Sequence, residues 1–458
     1  MTIVAIAVGV VAGCLYTLSP MTFWFGAGMI LLFAWAGRGI EGRERRWLFG
    51  LLGTAVALRL LALVAFFFMT QPMDGTFPVL IPDEEHIALR TRLLRYAALD
   101  VPLGDPEYMV MAEQWADTGL HQVLAYLQLQ LGDAPYGIRL FSVALYLIAT
   151  AVMYRTARLT FGRMAALGGL AIVLFLPSMF VWSISTLKEP VHQFLIAVAV
   201  SASIALVRAT SPAPRARAAA GVVAALLVIA YVRPGTHLMV AGGIAAGFAL
   251  AGAVRRPVIA ACAIVLCVLA APYWVRSPAV RERAVAMSLL AIRTHVGYVE
   301  TPGRNYKVLD PDFYWRDWAG NRYSNDPAHV TPGAMARYAV RAIASFVFVP
   351  LPWMASSPAL LIYLPEQMAW YSLVILAVSG ITSGVRKDLY LTMVLVGVTV
   401  ISAGVIAITG GNIGTLVRHR SLVLVVLPWL SALGACAALK RFARRWPARA
   451  PDLAEVQA

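Results

Sequence analysis

The chain has 458 residues, of which 60% are hydrophobic and 13% are charged, and its mean hydropathy is +0.74. Such an apolar composition excludes an ordinary soluble protein of this length and is typical of a polytopic membrane protein. The net charge of +15 would suit a nucleic-acid-binding protein, but Lys and Arg collect in short loops between apolar runs. The positive-inside rule explains that pattern, so no nucleic-acid partner is predicted.

The apolar runs are continuous rather than alternating, so they predict transmembrane helices and not strands. The N-terminus has no basic segment and no cleavage site, and we interpret it as the first helix rather than a signal peptide. The predicted fold class is an all-α polytopic membrane protein with about twelve transmembrane helices and two large outer loops that carry short surface helices. The predicted spans are 2–18, 21–36, 49–69, 138–155, 163–182, 190–207, 217–232, 235–253, 257–274, 366–384, 389–409 and 421–438.

Basic residues in the short loops set the predicted orientation, because such loops stay in the cytoplasm. With twelve spans, every basic loop falls on that side. A thirteenth crossing at 342–363 would place Arg386 and Lys387 outside, so we interpret this stretch as an in-plane or re-entrant segment broken at Pro350 and Pro352. The cytoplasmic groups are Arg38/Arg43/Arg45/Arg46, Arg155/Arg158/Arg163, Arg208/Arg215/Arg217, Arg255/Arg256, Arg386/Lys387 and Lys440/Arg441/Arg444/Arg445.

This threading divides the chain into five regions. They are an N-terminal hairpin with a basic loop (1–48), a transmembrane core that includes the acidic outer loop 70–137 (49–274), a second outer loop with the in-plane segment (275–365), C-terminal helices (366–440) and a cytoplasmic tail (441–458).

The first outer loop, 70–137, contains ten of the 23 acidic residues of the chain. A loop that must be translocated avoids basic residues, but that does not explain why its acids cluster. Asp105 is a suitable N-cap for a surface helix over 105–119, in which Pro106 takes the first position and Gly119 the C-terminal stop. Asp83, in Pro-Asp-Glu-Glu-His, offers a second helix start.

Several ionisable residues lie at the predicted outer ends of the spans, where the positive-inside rule disfavours cations. A snorkelling anchor or an internal Lys-Glu pair explains any one of them better than it explains the set. A ring of outer cations that faces an acidic loop is what a phosphate-bearing substrate requires. The residues are Lys188, Glu189, Arg233, Arg276, Arg418, His419 and Arg420.

The order of these motifs along the chain resembles that in the GT-C superfamily of membrane glycosyltransferases, which includes protein O-mannosyltransferases and lipid A aminoarabinose transferases. The similar motifs are Asp105, Tyr108, Ala112 and Gly119 in the first outer loop, an Arg-led helix from Arg139 to Arg158, Phe161 and Gly162, then Pro177, Lys188-Glu189, Arg233-Pro234, Pro272-Tyr-Trp-Val-Arg276, and Arg418-His419-Arg420 before Pro428. The chain departs from the family pattern in having three predicted helices before the acidic loop and an insert that contains Asp83, Glu84 and Glu85.

The resemblance implies an inverting transfer of a sugar from a polyprenyl-phosphate carrier to a lipid or glycan acceptor, at the periplasmic face of the inner membrane. A loop carboxylate would be the general base, and the outer cations would hold the phosphate. Asp105 is the favoured base, with Glu107 beside it, and Asp83 or Glu84 are alternatives. Tyr108 joins the substrate-binding set. Asp310, Asp312, Tyr314, Trp315 and Asp317 of the second loop would contact sugar or acceptor, or form an interfacial aromatic belt.

No cofactor is predicted with certainty. A divalent cation near Asp105 and Glu107 is an open alternative, since two carboxylates do not make a metal site. The four cysteines show no metal-binding spacing. Two other functions stay open: a polymerase or ligase of lipid-linked glycans, such as O-antigen, would need the outer Arg residues without the loop carboxylates, and a secondary transporter would need inverted repeats and polar groups at mid-membrane.

Overall fold

The computed structural model describes residues 9, 20–69, 82–112, 119–132, 136–299, 332–354, 363–411 and 413–445. All regular elements in these ranges are helices, which confirms the all-α class. A short 3-10 helix spans Pro352–Met354. The α-helices are α1 (Pro20–Ala36), α2 (Gly42–Met69), α3 (Pro82–Ala98), α4 (Asp105–Ala112), α5 (Gly119–Leu131), α6 (Gly137–Phe161), α7 (Arg163–Phe175), α8 (Pro177–Ser183), α9 (Glu189–Arg208), α10 (Pro212–Val232), α11 (Thr236–Arg255), α12 (Pro257–Arg276), α13 (Pro278–Val299), α14 (Pro332–Phe348), α15 (Leu364–Lys387), α16 (Leu389–Thr409), α17 (Ile413–Leu424) and α18 (Leu427–Arg445).

Seven of the described helices, α2, α6, α9, α10, α11, α15 and α16, are long and apolar enough to cross a membrane. Three bent pairs, α7 with α8, α12 with α13 and α17 with α18, raise this number to ten if each pair is one span. The helices therefore fit an integral membrane protein. Each predicted span from residue 49 onward overlaps one of these helices or bent pairs, whereas 21–36 corresponds to the shorter α1 and 2–18 lies almost wholly outside the described residues.

Loops that the sequence places in the cytoplasm contact one another at one end of the helix bundle. Glu44, near the start of α2, accepts hydrogen bonds from Arg158 Nε at 2.6 Å and Nη2 at 3.0 Å, near the end of α6. Arg208, at the end of α9, pairs with Asp388 in front of α16 at 2.5 Å. The structure therefore brings these predicted cytoplasmic loops to a common end of the bundle.

The break between α7 and α8 corrects the prediction of one straight helix over 163–182, because the two helices meet at 65°. Pro177 has no N–H, so it cannot donate to the carbonyl of Val173 four residues earlier. The hydroxyl of Tyr146, on α6, donates to that carbonyl instead. The polar group freed by the proline is therefore satisfied from a neighbouring helix.

Two further backbone groups at this break are also satisfied by side chains. The carbonyl of Leu174 accepts from Arg59 Nη2 at 3.0 Å, and the N–H of Ser178 donates to Glu366 Oε2 at 3.0 Å. Arg59 also donates from Nε to Ser183 Oγ at 2.7 Å and is fully buried. Arg59 lies in the middle of α2, so one strongly polar group of the described bundle is buried inside a helix rather than at its end. A break in one helix supplies the acceptors that this cation needs.

Two other predicted helix boundaries differ from those in the structure. The last predicted span, 421–438, is replaced by α17 and α18, which meet at 67° with Val425 and Val426 between them. The helix begins at Ile413, so the basic motif at 418–420 lies inside it rather than in front of it. Gly119 begins α5 instead of ending the helix that starts at Asp105, and residues 113–118 lie outside the described ranges.

Glycines permit the close packing of α15 against α18. A methyl group added at Gly380 would lie 1.9 Å from the carbonyl oxygen of Leu430, and one added at Gly434 would lie 1.9 Å from that of Leu376. Backbone cannot move aside as a flexible side chain can, so this contact requires residues without a Cβ. Small residues serve the same purpose in membrane helix pairs generally.

We expect Gly380→Ala to lower the free energy of unfolding by about 1–3 kcal/mol, because the added methyl overpacks the interface between α15 and α18. The matched control is Gly53→Ala in α2, where an added methyl meets nothing within 4 Å. Alanine is a better helix former than glycine by about 1 kcal/mol, so the control should keep or gain stability. Thermal unfolding of both purified variants measures this. Equal unfolding midpoints for Gly380→Ala and Gly53→Ala would contradict the close packing of α15 against α18.

Candidate functional site

Four segments that are distant in sequence meet at the end of the bundle opposite Arg208. They are the start of α3, the non-helical segment 184–188 with the start of α9, the residue that follows α10, and the middle of α17. α9 fixes the geometry, since Glu189 is its first residue and Arg208 its last. We call the side chains of Asp83, Lys188, Glu189, Arg233 and Arg418 the Arg418 cluster.

Arg418 joins two carboxylates in this cluster. Its Nε donates to Glu189 Oε1 at 2.7 Å, and its Nη1 contacts Asp83 Oδ2. The exposed fraction of the side chain rises from 0% at Glu189 through 18% at Arg418 to 60% at Asp83. The guanidinium is therefore held from the inside by a buried carboxylate, while the outer carboxylate stays open to solvent.

Two more cations of the Arg418 cluster, Arg233 and Lys188, have no carboxylate partner within the described ranges. Arg233 Nη2 lies 2.8 Å from Nε2 of His419, and Lys188 is half-buried without an ion pair. Burial, and then the charge of Arg233, lowers the pKa of Lys188 to about 8. Below that pH three cations face two carboxylates, so the cluster carries excess positive charge. Such a surplus in a partly buried site favours an anionic ligand.

A buried ion pair behind the cluster anchors α3 to the bundle. Arg139 Nη1 and Nη2 each lie 3.0 Å from an oxygen of Glu84, and the two side chains are 2% and 0% exposed. Glu84 Oε1 also accepts from the N–H of Thr186 at 2.7 Å, and Arg139 Nη1 donates to the carbonyl of Ile184 at 2.9 Å. With its oxygens occupied in this way, Glu84 is suited to positioning Asp83 and Lys188 rather than to moving protons.

Buried polar atoms without hydrogen-bond partners in the described part of the chain surround the inner side of the cluster. They are Oε2 of Glu189, both ring nitrogens of His192, Oγ1 of Thr186 and Oγ of Ser421. His192 follows Glu189 by one turn and is fully buried. Buried polar atoms normally have partners, so this group indicates that a polar ligand or water completes the site.

The predicted loop residues Asp105, Glu107 and Tyr108 lie in α4 and are exposed. Glu107 Oε2 accepts from the N–H of Gly104 at 2.8 Å, which caps the helix. No hydrogen bond or ion pair joins these three side chains to the Arg418 cluster in the regions that the structure describes. Asp83 is the acidic candidate that contacts a cation of the cluster, whereas Asp105, which the sequence favours as the base, has no such contact among the described residues.

Some of the predicted basic residues lie at the Arg418 cluster and others do not. Arg418 and His419 belong at the site, but Arg420 projects elsewhere and donates to Gln367 Oε1 at 2.9 Å and to the carbonyls of Phe346 and Val349. Arg276 ends α12 in an exposed position, and no described contact links it to the cluster. The second-loop candidates Asp310, Asp312, Tyr314, Trp315 and Asp317 lie outside the described residues.

Sequence reasoning named Arg139 only as the start of a helix and missed Arg59 and His192. A signal for Arg59 was present, since it is a lone charge inside the apolar run 49–69. Within the described ranges no group of three or more His, Cys, Asp or Glu residues is arranged to hold a metal ion. Asp105 and Glu107 remain two carboxylates on one exposed turn.

Comparison of the chain with protein-family models, curated proteins and solved structures found no match. The fold and the site therefore define its class directly: an all-helical chain with helices fit for a membrane and a cationic cluster with an exposed carboxylate at one end of the bundle.

We expect Glu84→Gln to lower the free energy of unfolding by about 3–5 kcal/mol, because it removes the charge of Glu84 from its buried pair with Arg139. Asp105→Asn, a matched change on an exposed carboxylate, should stay within about 0.5 kcal/mol of wild type. Denaturant unfolding of the protein in detergent measures both. The double variant Glu84→Gln/Arg139→Gln should recover part of the loss, and a fully stable single variant would contradict the role given to this pair.

Proposed function

We propose that the protein is an inverting glycosyltransferase that moves a sugar from a polyprenyl-phosphate carrier to a lipid or glycan acceptor at the outer face of the membrane. The observation that carries the proposal is the Arg418 cluster. An exposed carboxylate, Asp83, lies beside a guanidinium and near two cations without carboxylate partners among the described residues. This combination supplies a base and a phosphate site in one place, at one end of the membrane-spanning helices.

The reaction would use these groups as follows. Asp83 accepts the proton of the acceptor hydroxyl, and the acceptor oxygen attacks the anomeric carbon from the face opposite the phosphate. The bond from that carbon to the phosphate oxygen breaks, and its electron pair stays on the phosphate. Lys188, Arg233 and Arg418 stabilise the negative charge that the leaving phosphate gains. Attack from the opposite face inverts the configuration of the sugar.

The number of spans and their orientation in the membrane are part of the same proposal. We propose twelve spans, with the basic loops in the cytoplasm and the Arg418 cluster on the periplasmic side of the inner membrane. Support comes from the contacts of Arg158 with Glu44 and of Arg208 with Asp388, which lie at the end opposite the cluster. The positive-inside rule assigns that basic end to the cytoplasm. The resemblance to the GT-C superfamily agrees with this arrangement.

The buried break between α7 and α8 favours a secondary transporter as the second candidate function. Transporters build their substrate sites from interrupted helices at mid-membrane, and Arg59 is buried beside this break. A transporter would place its substrate site at mid-membrane, whereas the Arg418 cluster lies where α9 begins and α10 ends, which is why sugar transfer is preferred. The third candidate, a polymerase or ligase of lipid-linked glycans, would use the cations without Asp83.

The first test is transfer of radiolabelled sugar from a panel of polyprenyl-phosphate sugars to an envelope extract, by membranes that contain the full chain. We expect Asp83→Asn to reduce the transfer rate at least 100-fold, since general base catalysis contributes about 10²–10⁴-fold. Asp105→Asn is the matched control and should transfer at a rate near that of wild type.

The outcome of this transfer assay distinguishes the three candidate functions. Loss with Asp105→Asn alone would return the base to α4. Loss with Arg418→Gln but with neither carboxylate variant would favour the polymerase or ligase. Absence of transfer from every donor with the wild-type protein would overturn the proposal and favour the transporter.

Binding of polyprenyl phosphate should weaken as the pH rises through about 8. Lys188 carries a charge below its pKa of about 8 and loses it above, so a site that needs the cation should bind about tenfold more weakly at pH 9 than at pH 7. Lys188→Arg keeps its charge throughout this range and should abolish the dependence. Equilibrium binding in nanodiscs at both pH values measures this; an unchanged pH profile in Lys188→Arg would show that another group titrates.

A further inference from the structure

The guanidinium of Arg418 is held by one carboxylate from the interior and by another from the solvent side. Its Nε donates to Oε1 of Glu189 at 2.7 Å, and Glu189 is fully buried. Its Nη1 contacts Oδ2 of Asp83, a side chain that is 60% exposed. The third nitrogen, Nη2, makes no hydrogen bond within the described ranges. The inner carboxylate is therefore fixed, whereas the outer one has room to leave.

The nitrogens of Arg418 that a phosphate could use overlap with the one that Asp83 uses. An arginine holds a phosphate most strongly through two parallel hydrogen bonds from neighbouring nitrogens. Glu189 already occupies Nε, so the pair of nitrogens left for a phosphate is Nη1 with Nη2. Asp83 occupies Nη1. A phosphate can therefore be held in this bidentate way only if Asp83 leaves the guanidinium.

The anchoring of α3 determines how Asp83 can leave. Glu84, the next residue, pairs with Arg139 through two contacts of 3.0 Å, and both of these side chains are buried. The backbone at the start of α3 is therefore held in place, while the side chain of Asp83 reaches solvent. Exposed side chains change rotamer within nanoseconds. A rotation of the Asp83 side chain, without movement of the helix, is enough to release Arg418.

We propose that the phosphate of the polyprenyl carrier displaces Asp83 from Arg418, so that the phosphate and the Asp83 carboxylate compete for Nη1. The inference rests on the proposed function, because it takes the carrier phosphate as the ligand and Asp83 as the base. Without the carrier, Asp83 balances part of the positive charge of the Arg418 cluster. Once displaced, its carboxylate is free to turn to the acceptor hydroxyl. The base therefore becomes available when the donor is in place.

Equilibrium binding of farnesyl phosphate to the full-length protein in phosphatidylcholine nanodiscs at pH 7 tests this competition. We expect Asp83→Asn to bind the probe about fivefold more tightly than wild type, because an exposed ion pair no longer has to be broken. Glu85→Gln is the matched control, since it removes an exposed carboxylate from the same helix. Residues two positions apart do not share a helix face, so this variant should change the affinity by less than about twofold.

Further measurements separate competition from other effects of the substitution. Asp83→Ala should tighten binding as Asp83→Asn does, and farnesol, which lacks the phosphate, should bind equally to every variant. In the transfer assay, Asp83→Asn should lower the KM for the donor as well as kcat, which a residue that only supports the fold would not do.

Equal or weaker binding of farnesyl phosphate by Asp83→Asn, or equal tightening by Glu85→Gln, would overturn the inference, and so would equal tightening for farnesol. Tighter binding by Asp83→Asn together with no sugar transfer by the wild-type protein would support the competition and overturn the proposed function alone.

Discussion

The candidate site depends on the buried ion pair between Glu84 and Arg139. It connects α3, which belongs to the acidic loop, with α6 and with the non-helical segment in front of α9. A charged pair in an apolar interior is stable only if its remaining hydrogen bonds are also made, and here backbone groups at 184 and 186 make them. Because Asp83 precedes Glu84 and Lys188 closely follows Thr186, the same pair places a carboxylate and an amine beside Arg418.

The second constraint is the proline at 177. A proline inside a span frees backbone groups that lipid cannot satisfy, so neighbouring helices must supply partners. Tyr146, Arg59 and Glu366 do so from three different helices. This explains why strongly polar side chains lie in the interior of an apolar bundle. It also brings the carboxylate of Glu366 to the break, where one of its oxygens accepts from the N–H of Ser178.

The sequence predicts the positions of the apolar spans from residue 49 onward, because each span must be apolar over its own length and that property is local. The partners of the charged residues are not local. Arg418 and Asp83 are 335 positions apart, and the sequence favours Asp105 over Asp83 as the base. Only the packing of α3 against the bundle brings Asp83 into contact with Arg418. The sequence also does not predict where a span is broken. Pro177 is visible in it, but whether a proline kinks a helix or divides it depends on the side chains that face it.

α17 has only twelve residues and ends at a bend, so it is a short rod with a charged group on each side. Arg418 faces the cluster with Glu189, and Arg420 faces Gln367 and the carbonyls of Phe346 and Val349. A rigid helix cannot shift one of these groups without shifting the other. A ligand that displaced α17 from one side would therefore also move the arginine on the other side, and such a coupling would be equal in both directions. The sequence encodes this mechanical connection in two arginines separated by one histidine.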